Sequence, residues 1–298
     1  MNPGLDHIPA SKQRELEYVA RVLFETFEAA AVRGNIKWKK QGRIFKLVLY
    51  GSYARGDWVE DHVGGYVSDY DILVVVNDER LTDFELWAPA EDRLMRETTI
   101  THTLSAPVSF IVHSLSDVNQ QLERGRPFFV DIVRQGIAFY EADGFPFASP
   151  RELPLEEANA EARRHFDEWF PSANGFARNA GYAAADGDNK LAAFLYHQAA
   201  ERLYHCALLV LTLYSPKSHR LNFLRSQAEQ VAPELAAAWL RDDRASRRAF
   251  ELLRQAYVAA RYSPQYVITA DQLRWIGERV AILADLVEKA CTARLASG

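Results

Sequence analysis

Residues 46–76 read KLVLYGSYARGDWVEDHVGGYVSDYDILVVV. Two apolar runs, Leu47–Tyr50 and Ile72–Val76, bracket a Gly-Ser turn and a pair of aspartates. Their Val, Ile and Leu content is that of buried strands. Gly51-Ser52 closes the first run. Small residues there let backbone N–H groups approach an anion closely, and the next segment can open a helix whose N-terminus favours phosphate. Arg55, one turn on, carries a guanidinium suited to phosphate oxygens. The second run is introduced by Ser68-Asp69-Tyr70-Asp71. Alternate strand residues share a face, so Asp69 and Asp71 point the same way. Carboxylates about 7 Å apart along a strand repel each other unless a cation lies between them. Hard oxygen ligands of this kind suit Mg2+ bridging to a nucleotide phosphate. A Gly-Ser turn alone, or Asp-x-Asp alone, is commonplace. The order strand, Gly-Ser, Arg, loop, Asp-x-Asp, strand is specific.

GSYARGD followed by SDYDILVVV resembles the minimal nucleotidyltransferase motif of the polymerase-β-like superfamily, over about Arg14 to Tyr140. The resemblance implies that Gly51 and Ser52 hold the phosphates of ATP or another nucleoside triphosphate, that Asp69 and Asp71 ligate Mg2+, and that Arg55 supports the phosphates. The connection between the two motifs is longer than in the family pattern. Trp58–Tyr66, with Gly64-Gly65, reads as an insertion able to form a flap.

The chain has 298 residues, 48% hydrophobic and 25% charged, enough for one large or two medium globular domains. A net charge of −5 and a pI near 5.9 argue against a dedicated nucleic-acid binder, because a basic excess is what attracts polyphosphate. Cys206 and Cys291 have neither metal spacing nor a disulfide framework and read as buried small apolar residues. With no apolar signal region and no long apolar run, no membrane association and a cytoplasmic location are expected.

Helical spacing of Leu16, Val19, Ala20, Leu23, Phe24 and Phe27 predicts a helix over 12–32, ended by Gly34. Lys37, Lys39, Lys40 and Arg43 read as a short basic loop. Leu81–Glu97 reads as a helix capped by Thr82, and Leu115–Arg124 as a helix capped by Ser116. Pro127–Gln135 reads as a further helix and Ile137–Glu141 as a short last strand. Val108–His113 reads as the third strand. Relatives with full activity place a third carboxylate on it, but here Ser109 stands at that position and neither face carries an acid. His113, on the face of Ser109 and Ile111, is the candidate catalytic base; the alternative is that it caps the strand or faces solvent.

Gly144, Pro146, Pro150 and Pro154 punctuate a stretch without periodicity, so the reading places a first domain at 1–145, a linker at 146–156 and a second domain at 157–298. The second half reads as helices near 155–170, 173–186, 189–213, 219–230, 233–240, 245–262 and 270–295, with 189–213 apolar on most faces and central to a bundle. FLYHQAAERLYHCALLVLTLYSPKSHRL, followed by AARYSPQY, resembles a HEPN domain. The expected architecture is an α+β nucleotidyltransferase domain, a small mixed sheet with helices, followed by an all-α HEPN-like bundle. The resemblance leaves room for a homodimer through the helical domain.

His197, Glu201 and His205 lie at i, i+4 spacing and share a helix face. They suit an internal hydrogen-bond network or, with two imidazoles and a carboxylate, a transition metal. Binding sites favour clefts between domains, so His197, Glu201 and His219 are candidate acceptor contacts, on a helix or loop expected to face Asp69 and Asp71. Three functions stay open. The first is transfer of a nucleoside monophosphate to a hydroxyl of a small molecule or a protein. The second is a nucleotide-binding regulatory module, as in toxin–antitoxin-like pairs. The third is a ribonuclease, disfavoured because Arg261 has no histidine within the Arg-x4-6-His spacing of HEPN ribonucleases.

Overall fold

The computed structural model describes residues 4–32, 37–61, 66–239 and 244–296. It divides into two compact units, Met1–Glu152 and Leu153–Gly298.

The first unit is built on four strands: β1 (Ile44–Tyr50), β4 (Tyr70–Val76), β5 (Val108–Ser114) and β6 (Ile137–Glu141), in the order β5-β4-β1-β6. β1 is antiparallel to both β4 and β6, whereas β4 and β5 run parallel, so the sheet is mixed. The unbroken apolar runs are explained by burial on both faces. Leu47, Leu49, Ile72, Val74 and Val76 pack with Leu16, Val19, Leu23 and Phe27 of α1 (Ala10–Val32) and with Trp87, Ala90 and Leu94 of α4 (Phe84–Thr99). Each such side chain contributes on the order of 1.5–3 kcal/mol by leaving water. The opposite face receives α5 (Leu115–Glu123) and α6 (Pro127–Gln135), which bury Val118, Leu122, Phe129 and Ile132. Gly136 joins α6 to β6 where a Cβ would meet Ile132 O at 2.3 Å and Val48 Cγ1 at 2.8 Å, so no larger residue fits.

The helix signals differ in place from the sequence reading. Glu79–Thr82 is a 3-10 turn, and the cap of α4 is Asp83, whose carboxylate accepts from Glu85 N at 2.9 Å; Thr82 bonds back to Glu79 instead. α5 is capped by Ser114, not Ser116. Lys37–Lys40, expected as loop, forms one helical turn, α2. Gly34 and Gly64-Gly65 lie outside the described residues. The insertion around them contributes two short strands, β2 (Glu60–Asp61) and β3 (Tyr66–Val67), paired as a ribbon. β1 is followed directly by the short helix α3 (Gly51–Arg55).

Beyond β6 the chain stays on the first unit for some distance. Phe145 stacks on Phe45 at 3.6 Å, Ala148 N bonds Asn119, and Arg151 N bonds Leu122 O. Lys46, fully buried in β1, pairs with Glu141 and lies 4.9 Å from the Phe147 ring.

The second unit is helical: α7 (Leu155–Ala185), α8 (Asn189–Thr212), α9 (Leu221–Val231), α10 (Arg244–Tyr262) and α11 (Ala270–Ala296), with a 3-10 segment at Pro233–Ala238. α8 is the central element, packed by α7, α9, α10 and α11. Pro171 does not divide the first helix as its sequence signal suggests; 155–185 is continuous, because flanking apolar residues such as Phe170 and Ala173 pack on the core through that turn. Trp239 Nε1 donates to Tyr204 OH at 2.7 Å inside the core. Cys206 and Cys291 are free and buried, and they meet across α8 and α11; the bond to Cys291 and burial push the Cys206 thiol up. Among the described residues no helix is long and apolar enough to cross a membrane.

Candidate active site

Gly51 has φ +72°, a left-handed conformation that glycine adopts without strain, and this lets the chain turn from β1 straight into α3. Ser52 O closes the turn by accepting from Gly56 N and Asp57 N. The β1–β4 register pairs Tyr50, the residue before Gly51, with Asp71, and the β4–β5 register pairs Asp71 with Ser109. The Gly-Ser turn, both aspartates and Ser109 therefore gather at one end of the sheet. Asp71 has no exposed surface. Asp69 Oδ2 accepts from Ser109 Oγ at 2.9 Å. Arg55 is exposed and contacts Asp57 at 3.2 Å. Asp131 of α6 also lies in its field: burial pushes that carboxyl up, against the pull of Arg134 and Arg55.

The donor set fits a hard divalent cation. Asp69 and Asp71 would hold it, supplying carboxylate oxygens of the kind that Mg2+ takes. Among the described residues no group of three or more acids, histidines or cysteines is placed to hold a metal ion.

His113 does not join this group. It pairs with Val75, four residues beyond Asp71, which is about 13 Å along the strand. Its Nδ1 lies 2.6 Å from Asp117 Oδ2 and its ring meets Phe129 edge-on. His113 is thus placed away from the aspartates in the register and held to the first turn of α5.

A second network, not signalled by the sequence, braces the site from the other face. Tyr53 of α3 is stacked between Trp58 at 5.1 Å and Tyr70 at 4.4 Å. Tyr70 OH donates to Glu15, which also accepts from Ser105. Lys12 pairs with Glu60 of the ribbon and bonds Ser105. Burial first, then the charges of Glu60 and Glu15, push the Tyr53 phenol up; burial and Glu15 do the same to Tyr70. Both hydroxyls stay protonated donors. Ser68 fixes the root of the ribbon, its N and Oγ bonding Val59 O and N at 2.9 Å each.

In the helical unit the structure brings Glu201 and His219 together at 2.9 Å, with His197 Nε2 3.4 Å from the other carboxylate oxygen. His197 is 1% exposed and its Nδ1 donates to Leu253 O, which places it inside the bundle rather than at its surface. Glu201 is buried as well, and only the His219 ring, stacked on Tyr257 at 4.9 Å, reaches the surface. His205 turns away from this group to bond Ser215 Oγ and Ser218 O. His197, Glu201, Gln198 and His219 thus form an internal network, with His205 turned out of it.

Residues 31–133 match the family described as a nucleotidyltransferase domain, and residues 166–290 the family described as a HEPN domain. A 40-residue stretch, 13% of the chain, is 52% identical to a Methanocaldococcus jannaschii protein named "Putative protein adenylyltransferase". The chain spans about a third (34%) of that relative's length. With the mixed sheet and the helical unit already described, the two family matches identify the chain as a nucleotidyltransferase domain followed by a C-terminal HEPN domain.

Proposed function

We propose that the first unit is a Mg2+-dependent nucleotidyltransferase that moves a nucleoside monophosphate from a nucleoside triphosphate to a hydroxyl group. The observation that carries this reading is the register that sets Asp71 beside Ser109 and Tyr50, next to Asp69 and the Gly51-Ser52 turn. The acceptor oxygen bonds the α-phosphorus as the bond to pyrophosphate breaks. Bound at Asp69 and Asp71, the cation would neutralise charge developing on the phosphates. Gly51 and Ser52 admit the phosphates close to backbone N–H groups, and Arg55 supplies a positive charge beside them. The name of the M. jannaschii relative supports ATP as donor and a protein hydroxyl as acceptor; a small-molecule hydroxyl is the other class. The test is Asp69→Asn with Asp71→Asn in the full chain. Transfer of label from α-labelled ATP is expected to vanish while the melting temperature holds, and unchanged transfer would sink the reading.

A second reading follows from Ser109, which stands where a third acid would complete the site. It makes the chain a nucleotide-binding regulatory protein of the toxin–antitoxin-like kind. Calorimetric binding of Mg2+ and ATP, without pyrophosphate release across protein and small-molecule acceptors, would favour it.

A further inference from the structure

The two aspartates are held in different ways. Asp71 lies within β4 and is paired on both sides, with Tyr50 of β1 and Ser109 of β5. The ladder itself fixes it. Asp69 precedes the strand, which starts at Tyr70. The backbone bonds around it belong to its neighbours, Ser68 with Val59 and Tyr70 with Pro107. Asp69 is reached through its side chain, by the Ser109 hydroxyl donating to Oδ2 at 2.9 Å. Ser109 is in turn set by its place in β5 opposite Asp71.

We infer that Ser109 is a positioning residue: its hydroxyl holds the Asp69 carboxylate in the orientation in which Asp69 and Asp71 take a divalent cation together. The inference rests on the nucleotidyl-transfer reading for the use of that cation. Its physical basis is separate. Two like charges this close swing apart when nothing restrains them. A neutral donor restrains Asp69 without adding charge, and hydrogen bonds to ionised groups are the stronger kind. A carboxylate at position 109 would instead bring a third negative charge against Asp69. The serine therefore keeps the pair ordered before a cation arrives, and ordering in advance lowers the entropy lost on binding.

The experiment uses the full chain and Mn2+ as probe, with a non-hydrolysable ATP analogue present, and reads cation affinity by calorimetry or electron paramagnetic resonance. Ser109→Ala is expected to weaken Mn2+ binding about tenfold, the scale of one hydrogen bond to a charged group. Ser109→Thr, which keeps the hydroxyl, restores it to within about twofold. In transfer assays Ser109→Ala lowers kcat, leaves the KM for the acceptor unchanged, and regains rate at high Mg2+. Ser109→Asp melts lower than wild type without cation and gains more from Mn2+ than wild type does. Wild-type affinity in Ser109→Ala, or failure of Ser109→Thr to restore it, overturns the inference. Where Ser109→Ala does not fold, Ser109→Cys replaces it, close in shape with a weaker donor; wild-type affinity there is equally fatal. The nucleotidyl-transfer reading fails differently: no label is transferred by wild type although Asp71→Asn still loses Mn2+ binding, whereas equal Mn2+ binding by wild type and Asp71→Asn overturns this inference itself.

Discussion

Glu201 in the helical unit and the Asp69/Asp71 pair in the sheet are both carboxylate centres, and they are built in opposite ways. Burial alone would raise the Glu201 carboxyl, but the contacts from His197 and His219 outweigh it and hold the group below the usual carboxylate range. Its oxygens are met by His219 at 2.9 Å, Gln198 at 3.1 Å and His197 at 3.4 Å. These contacts lie within one unit and tie α8 to the 213–220 loop. At the sheet, two carboxylates sit on alternate residues near the Gly51-Ser52 turn, and Ser109 answers with a neutral hydroxyl. A carboxylate met on both oxygens by neighbouring side chains serves the fold; a pair of one sign is the arrangement on which the proposed cation site rests.

That contrast breaks first at Asp71. Asp71→Asn lowers nucleotide transfer by at least about a hundredfold, since electrostatic groups at such sites carry effects of that order. The melting temperature stays level or rises, because a buried like charge is removed. A marked fall in melting temperature would mean Asp71 is structural. Glu201→Ala gives the reverse: a loss of about 3 kcal/mol in urea unfolding, the cost of breaking a buried pair and leaving its partners unmatched. Wild-type stability in that variant would dissolve the contrast. Next comes pH. Burial lowers the His205 imidazole below its ordinary value, so the unfolded chain takes up the proton first. Stability is full above the unfolded-state value near 6.5 and declines as pH falls below it. His205→Gln should flatten that decline in melting temperature between pH 7.5 and 5; an unchanged slope puts the acid sensitivity elsewhere. The smallest effect is at the helix ends. Asp83→Ala costs about 1 kcal/mol and Thr82→Ala less. The opposite ranking would return the cap to Thr82.

The sheet core was legible because unbroken apolar runs and the Gly-Ser turn are local signals. The failures share a cause. Alternation put His113 on the face of Ser109, which is correct, but a face is not a row, and only the register shows that His113 lies four residues further along. Helical spacing grouped His197 with Glu201, and they do meet at 3.4 Å, but spacing does not say which side of a helix turns inward or that His205 turns to the 213–220 loop. The Ser109–Asp69 bond joins residues 40 positions apart, and the Lys12, Glu15, Tyr70 and Ser105 network depends on how α1 docks on the sheet. Neither leaves a trace in residue order. The sequence reading broke the helix between 170 and 173, whereas 155–185 is continuous because packing around Pro171 prevails.

The strand order has a consequence for how the chain is made. β1 lies between β4, which follows it closely in sequence, and β6, whose Ala138 pairs with Val48. During synthesis β4 emerges soon after β1 and can pair at once. The other edge of β1 waits for residues 137–141, after three further helices and a strand. For that interval an apolar strand stands with one side of its ladder unfilled, the exposed edge that most readily recruits another chain. The last short strand of the domain is thus its closing step, and a nascent chain that stalls before Ile137 is the form of this protein most prone to aggregate.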